Sequence, residues 1–253
     1  MNYTVITGAS SGIGLEAALA FASRGKNLIL VARRKENLEK LKSEIAFINP
    51  NLDVVIRTTD LSITENAYKL YENLHDFQIE TWINNAGFGN FDSVTEQNLS
   101  KIEAMLHLNI ESLTILTSLY VRDYSNAEGT QLINVSSGGG YTIVANAITY
   151  CATKFYVSAF TEGLAHELKS TGANMQVKVL APAATETEFA KRSFDLDEFQ
   201  YEGVVPKFHT SKQMAGFMLD LYDSDKVVGI VDGYTYEFKL RDPIFNYAVR
   251  TTK

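Results

Sequence analysis

The chain is poor in cysteine and histidine. Cys151 is the only cysteine among 253 residues, which excludes an internal disulfide and any site built from several cysteine ligands. The four histidines, His75, His107, His166 and His209, show no metal-ligand spacing. We therefore expect no metal site.

Long apolar runs and an excess of positive charge are also absent. The apolar runs are short, such as Val227 to Val231, and none approaches the roughly 20 residues that span a membrane. The net charge of −7 disfavours nonspecific attraction to nucleic acid or to an anionic membrane. Strand-like sequence begins at Tyr3 with no basic stretch and apolar run before it, so we expect no secretory signal and a cytoplasmic location.

Short β-branched or aliphatic runs alternate along the chain with longer segments of helical pattern. The predicted strands are Tyr3–Thr7, Asn27–Val31, Val54–Thr58, Thr81–Asn84, Gln131–Val135, Gln176–Leu180 and Val227–Val231. The predicted helices lie near residues 13–24, 35–48, 63–75, 100–124, 150–169 and 211–222. Two of these helices begin at capping-box patterns, Ser62 with Glu65 and Thr210 with Gln213.

Strands that alternate with helices predict an α/β fold, because a parallel sheet needs crossover helices on its faces. We predict a doubly wound parallel seven-stranded sheet with helices on both faces. No linker, repeat or composition break divides the chain, so we predict one domain over residues 1–253. A segment of about residues 188–209, here called the lid segment, fits no strand and is rich in aromatic residues. Long connections of this kind are often lids, although a peripheral helix pair explains the length equally well.

A glycine-rich loop, Thr7-Gly8-Ala9-Ser10-Ser11-Gly12-Ile13-Gly14, follows the first predicted strand and opens the first predicted helix. Glycine has no Cβ, so the backbone can turn tightly and approach a pyrophosphate. The helix that follows directs its N–H groups and the positive end of its dipole at the phosphates. This position between a strand and a helix favours dinucleotide binding over a purely structural turn.

The spacing Thr-Gly-x3-Gly-x-Gly resembles the short-chain dehydrogenase/reductase family. Three further matches follow in order: Asp60-Leu61 after the third strand, Asn84-Asn85-Ala86-Gly87 at the end of the fourth, and Asn109 in the long fourth helix. The resemblance implies a Rossmann-type fold and a nicotinamide cofactor. The residues that it assigns to the cofactor in this part of the chain are Gly8, Ser10, Ser11, Gly12, Ile13, Gly14, Asp60, Leu61, Asn85, Ala86 and Gly87.

The end of the second strand indicates which nicotinamide cofactor binds. An NAD site usually places a carboxylate there, about 20 residues beyond the loop, against the ribose 2′-hydroxyl. This sequence instead has Arg33 and Arg34, and a guanidinium pairs with a phosphate. A solvated basic patch is the alternative, but arginine is poorly placed for the dipole at a helix start. Ser11 stands where many NADP-using relatives carry a basic residue. The charge pattern still predicts NADP.

The pair Tyr150-x3-Lys154 is the predicted reactive centre. Residues four apart share a helix face, so the ammonium can lie near the phenol and lower its pKa toward the working range. Tyr222 and Lys226 have the same spacing. Ser137 lies 13 residues before Tyr150 at the end of the fifth strand, whereas His209 lies 13 residues before Tyr222 on no strand. The family arrangement therefore matches the first pair, and we interpret the second as a surface pair.

The resemblance implies a role for each residue of this centre. Tyr150 exchanges a proton with the substrate oxygen, and Ser137 hydrogen-bonds the same oxygen. Lys154 holds the nicotinamide ribose and biases Tyr150, while Asn109 positions a water that links Lys154 to solvent. The sequence Pro182-Ala183-Ala184-Thr185-Glu186-Thr187 resembles the family's Pro-Gly-x3-Thr nicotinamide contact, with Ala183 in place of glycine. Its expected cofactor contacts are Pro182, Thr185 and Thr187.

These matches predict an NADP-dependent oxidoreductase that transfers a hydride between the nicotinamide and the carbonyl or alcohol of a small substrate. The aromatic lid segment favours an apolar substrate. The alternatives are a non-catalytic NADP(H)-binding regulator on the same fold and a reductase of carrier-protein-linked 3-oxoacyl groups. The resemblance also implies a homodimer or homotetramer. The apolar stripe Leu106, Leu113, Leu116 and Tyr120 is consistent with such an interface or with the core.

Overall fold

Eight strands form the central sheet of the computed structural model, which describes residues 1–248. Their order across the sheet is β10-β9-β6-β5-β4-β1-β2-β3. Their bounds are β1 Asn2–Thr7, β2 Asn27–Ala32, β3 Val54–Thr58, β4 Gln78–Asn84, β5 Gln131–Val135, β6 Gln176–Ala181, β9 Val228–Val231 and β10 Phe238–Arg241. The first seven of these run parallel, and β10 pairs antiparallel with β9. The prediction of seven strands is therefore wrong, because it did not include the edge strand β10.

Helices cover both faces of the sheet and confirm the doubly wound α/β prediction. One face carries α1 (Gly12–Ser23), α2 (Lys35–Ile48) and α8 (Ser211–Asp223). The other carries α3 (Glu65–Glu72), α4 (Leu99–Leu106), α5 (Leu113–Tyr124) and α6 (Ile148–Thr171). Leu113, Leu116 and Tyr120 are buried within the subunit, so most of the stripe predicted on the fourth helix is core. Among residues 1–248, no helix is long and apolar enough to cross a membrane.

The predicted fourth helix contains a π-helical turn. Residues His107–Ser112 widen the helix between α4 and α5, and Asn109 lies in the middle of this turn with 1% of its surface exposed. π-helical turns inside α-helices occur frequently at functional sites. Here the buried Asn109 amide contacts Phe88 and Thr153.

Two predicted helix starts have different outcomes. The capping box at Thr210 and Gln213 is confirmed, since both reciprocal hydrogen bonds are present at the start of α8. The capping box at Ser62 and Glu65 is wrong, because α3 begins at Glu65 itself. The Ser62 hydroxyl instead donates to the Asp60 carboxylate over 2.6 Å, which fixes the turn after β3.

A buried lysine joins the end of α8 to the sheet. Lys178 on β6 is 1% exposed, and its ammonium donates to the backbone oxygens of Leu221, Tyr222 and Ser224 at 2.7 to 2.9 Å. A cation at this helix end is favoured by the helix dipole and satisfies carbonyls that have no partner within the helix. This contact fixes α8 against β6.

The lid segment lies between two short strands. β7 (Thr185–Glu186) and β8 (His209–Thr210) pair in parallel, Thr185 with His209 and Glu186 with Thr210. A helix of five residues, α7 (Phe189–Ser193), follows β7, and residues 194–208 contain no helix or strand. The segment therefore leaves and rejoins the fold at neighbouring points.

Candidate active site

A cleft of about 1090 Å³ opens at the carboxyl ends of the parallel strands. The loops after β1, β4, β5 and β6 meet there, together with the start of α6 and the lid segment. In open α/β sheets, ligands bind at this edge, outside the carboxyl ends of the strands. The cleft is therefore the candidate active site.

The glycine loop forms the floor of one end of the cleft. Gly12 has a φ of +56°, and a Cβ there would lie 2.9 Å from the Thr187 side chain. A Cβ on Gly14 would collide with the backbone oxygen of Gly8. The Thr7 hydroxyl accepts from the backbone N–H groups of Asn85 and Ala86, both at 3.0 Å. Gly12 and Gly14 therefore have no room for side chains, and the bonds to Thr7 fix the loop to the end of β4.

The two arginines after β2 occupy different places. Arg33 lines the cleft, and its guanidinium lies 3.8 Å from the Asp60 carboxylate. Arg34 lies behind the glycine loop, where it donates to the Ser11 hydroxyl over 2.8 Å and pairs with Glu188 at 3.0 Å. Arg33 thus offers a charge to a ligand, whereas Arg34 supports the loop from outside.

Tyr150 lies in the first turn of α6 with 7% of its surface exposed. Its ring packs against Phe189 and Phe91, with centroids 5.3 Å and 6.1 Å apart. Burial among these side chains raises the pKa of Tyr150, and the Ser137 hydroxyl partly offsets this rise. The expectation that Lys154 lowers the phenol pKa does not hold in this structure, because the desolvation of the phenolate dominates.

Lys154 lies one turn further along α6 and is 5% exposed. Its ammonium lies 5.9 Å from the centre of the Tyr150 ring and donates to the Val135 carbonyl over 2.9 Å. Burial lowers the pKa of Lys154 to about 8. The spacing of four residues thus places both groups on the cleft side of the helix, as predicted.

Ser137 follows β5 and caps a short 3₁₀ turn, Gly138–Gly140. Its hydroxyl oxygen accepts from the Gly139 N–H over 3.0 Å, so the hydroxyl hydrogen is free to point into the cleft. The backbone N–H of Gly138 donates to the Pro182 carbonyl over 2.7 Å. This bond joins the Ser137 turn to the loop after β6.

Asn109 lies behind the cleft wall. Its amide donates to the Phe88 carbonyl over 2.9 Å and to the Thr153 hydroxyl over 3.1 Å, and its oxygen accepts from the Phe88 N–H over 3.2 Å. A Cβ on Gly87 would lie 3.1 Å from the Asn109 oxygen and 3.5 Å from the Lys154 nitrogen. The space beside Gly87 therefore separates these two polar atoms.

Most of the residues predicted for the site meet at this cleft. Those that line it are Gly8, Ser11, Gly12, Ile13, Arg33, Asp60, Leu61, Asn85, Ala86, Gly87, Ser137, Tyr150, Lys154, Pro182, Thr185 and Thr187. Those that do not line it are Ser10, Gly14, Arg34 and Asn109. The last four lie directly behind the lining residues and hold them in place.

The second tyrosine–lysine pair, Tyr222 and Lys226, does not line the cleft. Tyr222 packs edge-on against Phe21, and Lys226 pairs with Asp242 at 3.1 Å.

Cys151 is buried beside Tyr150 and accepts from the Val144 N–H. Within residues 1–248, no three His, Cys, Asp or Glu side chains lie close enough together to hold a metal ion.

The sequence interpretation missed several residues of the cleft. Phe91 and Phe189 surround Tyr150, and Tyr141 and Ile244 line the side away from the glycine loop. An aromatic residue two positions after the nicotinamide-contact threonine was a usable signal for Phe189. No sequence signal indicates Ile244, because its contact with the cleft depends on how the chain returns after β10.

The geometry fits a dinucleotide with a 2′-phosphate. The glycine loop leads into the start of α1 beside the cleft, and a helix N-terminus is an anion-binding arrangement. Arg33 lines the cleft beside Asp60, at the end of the sheet where an adenosine ribose lies in folds of this type. Tyr150, Ser137 and Lys154 lie at the other end.

Comparisons with known proteins agree with this geometry. A model of the short chain dehydrogenase family matches residues 2–197. An uncharacterized oxidoreductase of Staphylococcus saprophyticus is 31% identical over 195 residues, which cover 76% of this chain and 78% of the relative.

Two solved structures extend the likeness to the whole fold. A short-chain dehydrogenase from Sphingobium yanoikuyae, in complex with NADPH, has a TM-score of 0.83 and 29% identity over 91% of this chain and 87% of the other. The bulky-bulky ketone specific alcohol dehydrogenase from Comamonas testosteroni has a TM-score of 0.78 and 27% identity over 91% of this chain and 86% of the other.

Proposed function

Because this chain belongs to the short-chain dehydrogenase/reductase family, we propose that it is an NADP(H)-dependent oxidoreductase of ketones or secondary alcohols. One observation carries the proposal: Ser137, Tyr150 and Lys154 line the same cleft as the glycine loop and Arg33. The NADPH in the Sphingobium yanoikuyae dehydrogenase supports the choice of cofactor.

The bound cofactor supplies a hydride to the carbonyl carbon during reduction. Tyr150 donates its phenolic proton to the carbonyl oxygen. Burial raises the pKa of Tyr150, which keeps the phenol protonated before the reaction. Ser137 donates a second hydrogen bond to the same oxygen, since its own oxygen already accepts from Gly139. Hydrogen bonds to the developing negative charge typically contribute a few kcal/mol of transition-state stabilisation each. Alcohol oxidation uses the same groups, with Tyr150 accepting the proton.

Lys154 returns a proton to Tyr150 after each reduction. With a pKa of about 8, its ammonium exchanges protons near neutral pH more readily than an ordinary lysine does. A water beside Gly87 can join Lys154 to the Asn109 oxygen and from there to solvent. The ribose hydroxyls of the cofactor are the other partners that we assign to Lys154.

The walls around Tyr150 support an apolar substrate. Phe91, Phe189 and Phe194 line the cleft next to the phenol, and Phe91 and Phe194 pack with ring centres 4.7 Å apart. The cleft is large enough for a cofactor and a bulky substrate together. The name of the Comamonas testosteroni enzyme, specific for bulky-bulky ketones, supports the same substrate class.

The test is loss of NADPH fluorescence upon addition of a panel of aliphatic and aryl ketones and aldehydes. We expect turnover of at least one bulky aryl ketone and little turnover of acetone. Tight NADPH binding without turnover of any member would indicate the non-catalytic regulator instead. Turnover of 3-oxoacyl groups on a carrier protein, and of no free ketone or aldehyde, would indicate the carrier-protein-linked reductase.

A further inference from the structure

A buried carboxylate on α6 holds the C-terminal segment against the cleft. Glu162 is 1% exposed. It accepts hydrogen bonds from the Tyr141 hydroxyl at 2.5 Å, from the Phe245 N–H at 2.8 Å and from the Ile244 N–H. No described residue forms an ion pair with it, so within residues 1–248 its carboxylate has only these three polar partners.

The position of Glu162 links it to the reactive centre. Tyr150, Lys154, Ser158 and Glu162 follow one another at intervals of four residues along α6, and all four are buried. Residues at this interval lie along one side of a helix. One side of α6 thus carries the reacting groups at its start and the Glu162 carboxylate three turns later.

Glu162 joins two walls of the cleft. Tyr141 follows the Ser137 turn and lines the cleft, and its ring stacks on Phe245 with centres 5.4 Å apart and planes 15° apart. Ile244 also lines the cleft. Residues 242–247 contain no helix or strand, so no regular backbone hydrogen bonds hold this segment in place. The bonds from the Ile244 and Phe245 N–H groups to Glu162 hold it instead.

We propose that Glu162 is a positioning residue that sets the substrate specificity of this enzyme by fixing Ile244 and Tyr141 as one rigid wall. It touches neither substrate nor cofactor and acts through those two residues. The substrate part rests on the proposed function, while the anchoring of the C-terminal segment is independent of it.

The anchoring is tested by hydrogen exchange of the Ile244 and Phe245 amides. Both amides lie outside regular structure, yet we expect strong protection in the wild type. Both N–H groups donate to one carboxylate oxygen of Glu162, and Tyr141 donates to the other. In Glu162→Gln a neutral amide oxygen takes the place of the oxygen that accepts from both N–H groups, so these two bonds become weaker. We expect exchange at both amides to become at least tenfold faster. Unprotected amides in the wild type, or unchanged exchange in the variant, would overturn the anchoring whether or not the enzyme reduces ketones.

The specificity is tested with aryl ketones from acetophenone to benzophenone and NADPH. For Glu162→Gln we expect KM for the larger ketones to rise at least fivefold, with kcat and the Kd for NADPH within twofold of wild type. Ile244→Ala keeps every bond to Glu162 and should raise the same KM values, which keeps the test valid if Glu162→Gln folds poorly. Unchanged KM values in Ile244→Ala would refute the proposal that Ile244 forms part of the substrate site. Equal losses of kcat and NADPH affinity in Glu162→Gln would show a general structural defect and would refute a specific effect on substrate binding.

The matched control is Glu167→Gln. It makes the same chemical change on the same helix, but Glu167 is exposed and its carboxylate has no hydrogen-bond partner among residues 1–248. Exchange, KM and melting temperature should equal those of the wild type. A control variant that reproduced the Glu162→Gln phenotype would overturn the assignment.

Discussion

The carboxylate of Glu188 lies 3.0 Å from the guanidinium of Arg34, so the first residue of the lid segment is paired with the arginine that supports the glycine loop. Arg192, one turn along α7, pairs with the same carboxylate. The guanidinium of Arg34 also holds Ser11. The lid segment is thereby joined to the glycine loop at the point where the two lie side by side.

This pairing leads to a prediction about lid motion. Phe194, Leu196 and Val204 are 46%, 47% and 64% exposed, so these apolar side chains contribute little burial, and we expect the segment to open locally. Hydrogen exchange over residues 188–209 should slow at least tenfold when NADPH and an aryl ketone are added. Glu188→Gln should speed exchange in the free protein, and Glu202→Gln, in the same segment, should not. Equal and strong protection in both states would show a fixed peripheral element.

Cofactor preference should depend on Arg33. We expect NADPH to bind at least tenfold more tightly than NADH, a difference of about 1.4 kcal/mol, which is modest for a charge-assisted phosphate contact. Arg33→Ala should remove most of this difference by weakening NADPH alone, as measured by fluorescence titration. Arg122→Ala, on the distant helix α5, is the control. Equal affinities of the wild type for both cofactors would refute the assignment.

Tyr150→Phe should separate catalysis from cofactor binding. The change removes only the hydroxyl, so NADPH should still bind while kcat falls at least a hundredfold. Tyr222→Phe is the matched control, because Tyr222 has the same spacing to a lysine but packs against Phe21. An active Tyr150→Phe together with an inactive Tyr222→Phe would show that the wrong pair was chosen.

Lys154→Met should stabilise the protein and inactivate it. Burial lowers the pKa of Lys154 from 10.5 to about 8, so below pH 8 the folded protein carries the cost of a buried ammonium. Between pH 8 and 10.5 the unfolded chain binds more protons, so the stability of the wild type rises with pH through this group. Lys154→Met should therefore raise the free energy of unfolding at pH 7 by up to about 3 kcal/mol, less the lost hydrogen bond to Val135.

Urea unfolding at pH 7 and pH 10 measures this effect. The advantage of the methionine variant should shrink at pH 10, because the wild type no longer carries the charge. A variant that is less stable than the wild type at pH 7 and equally so at pH 10 would show that the ammonium is not strained by burial.

Gly87→Ala tests the proposed water between Asn109 and Lys154. The new methyl would lie 3.1 Å from the Asn109 oxygen and 3.5 Å from the Lys154 nitrogen, filling the space that the water needs. We expect kcat to fall at least tenfold at saturating NADPH, a condition that separates the proton path from any change in cofactor binding at Gly87. Gly163→Ala is the control, since a Cβ there meets nothing within 4 Å. A fully active Gly87→Ala would exclude a proton path at this point.

The strands and helices were largely predictable because their signals are local. All seven predicted strands are present, since buried parallel strands have short apolar runs between helical patterns. The strand β10 was missed because Phe238-Lys239-Leu240-Arg241 is a short edge strand with two charges, and its pairing depends on β9. The π-helical turn was missed because an extra residue within a helix leaves no clear mark on the apolar pattern.

The site was predictable where the chemistry is tied to a motif. Tyr150 and Lys154 lie on one helix, and Ser137 follows a strand that directs it to the same edge of the sheet. Arg34 was placed in the cofactor site with Arg33, but adjacent residues point in different directions and only Arg33 lines the cleft. Glu162 looks like a surface glutamate of an amphipathic helix, and its burial depends on the return of residues 242–247.

The pairing of β7 with β8 has a further consequence for engineering and for divergence. Because Thr185 pairs with His209 and Glu186 with Thr210, the lid segment leaves and re-enters the framework at adjacent backbone positions. The entropic cost of closing a loop rises only slowly with its length. A segment of different length or composition can therefore be grafted between these two strands while the sheet stays unchanged. We therefore expect that residues 194–208, which follow α7, can be exchanged to change the substrate range while the pairing of Glu188 with Arg34 at the glycine loop is kept.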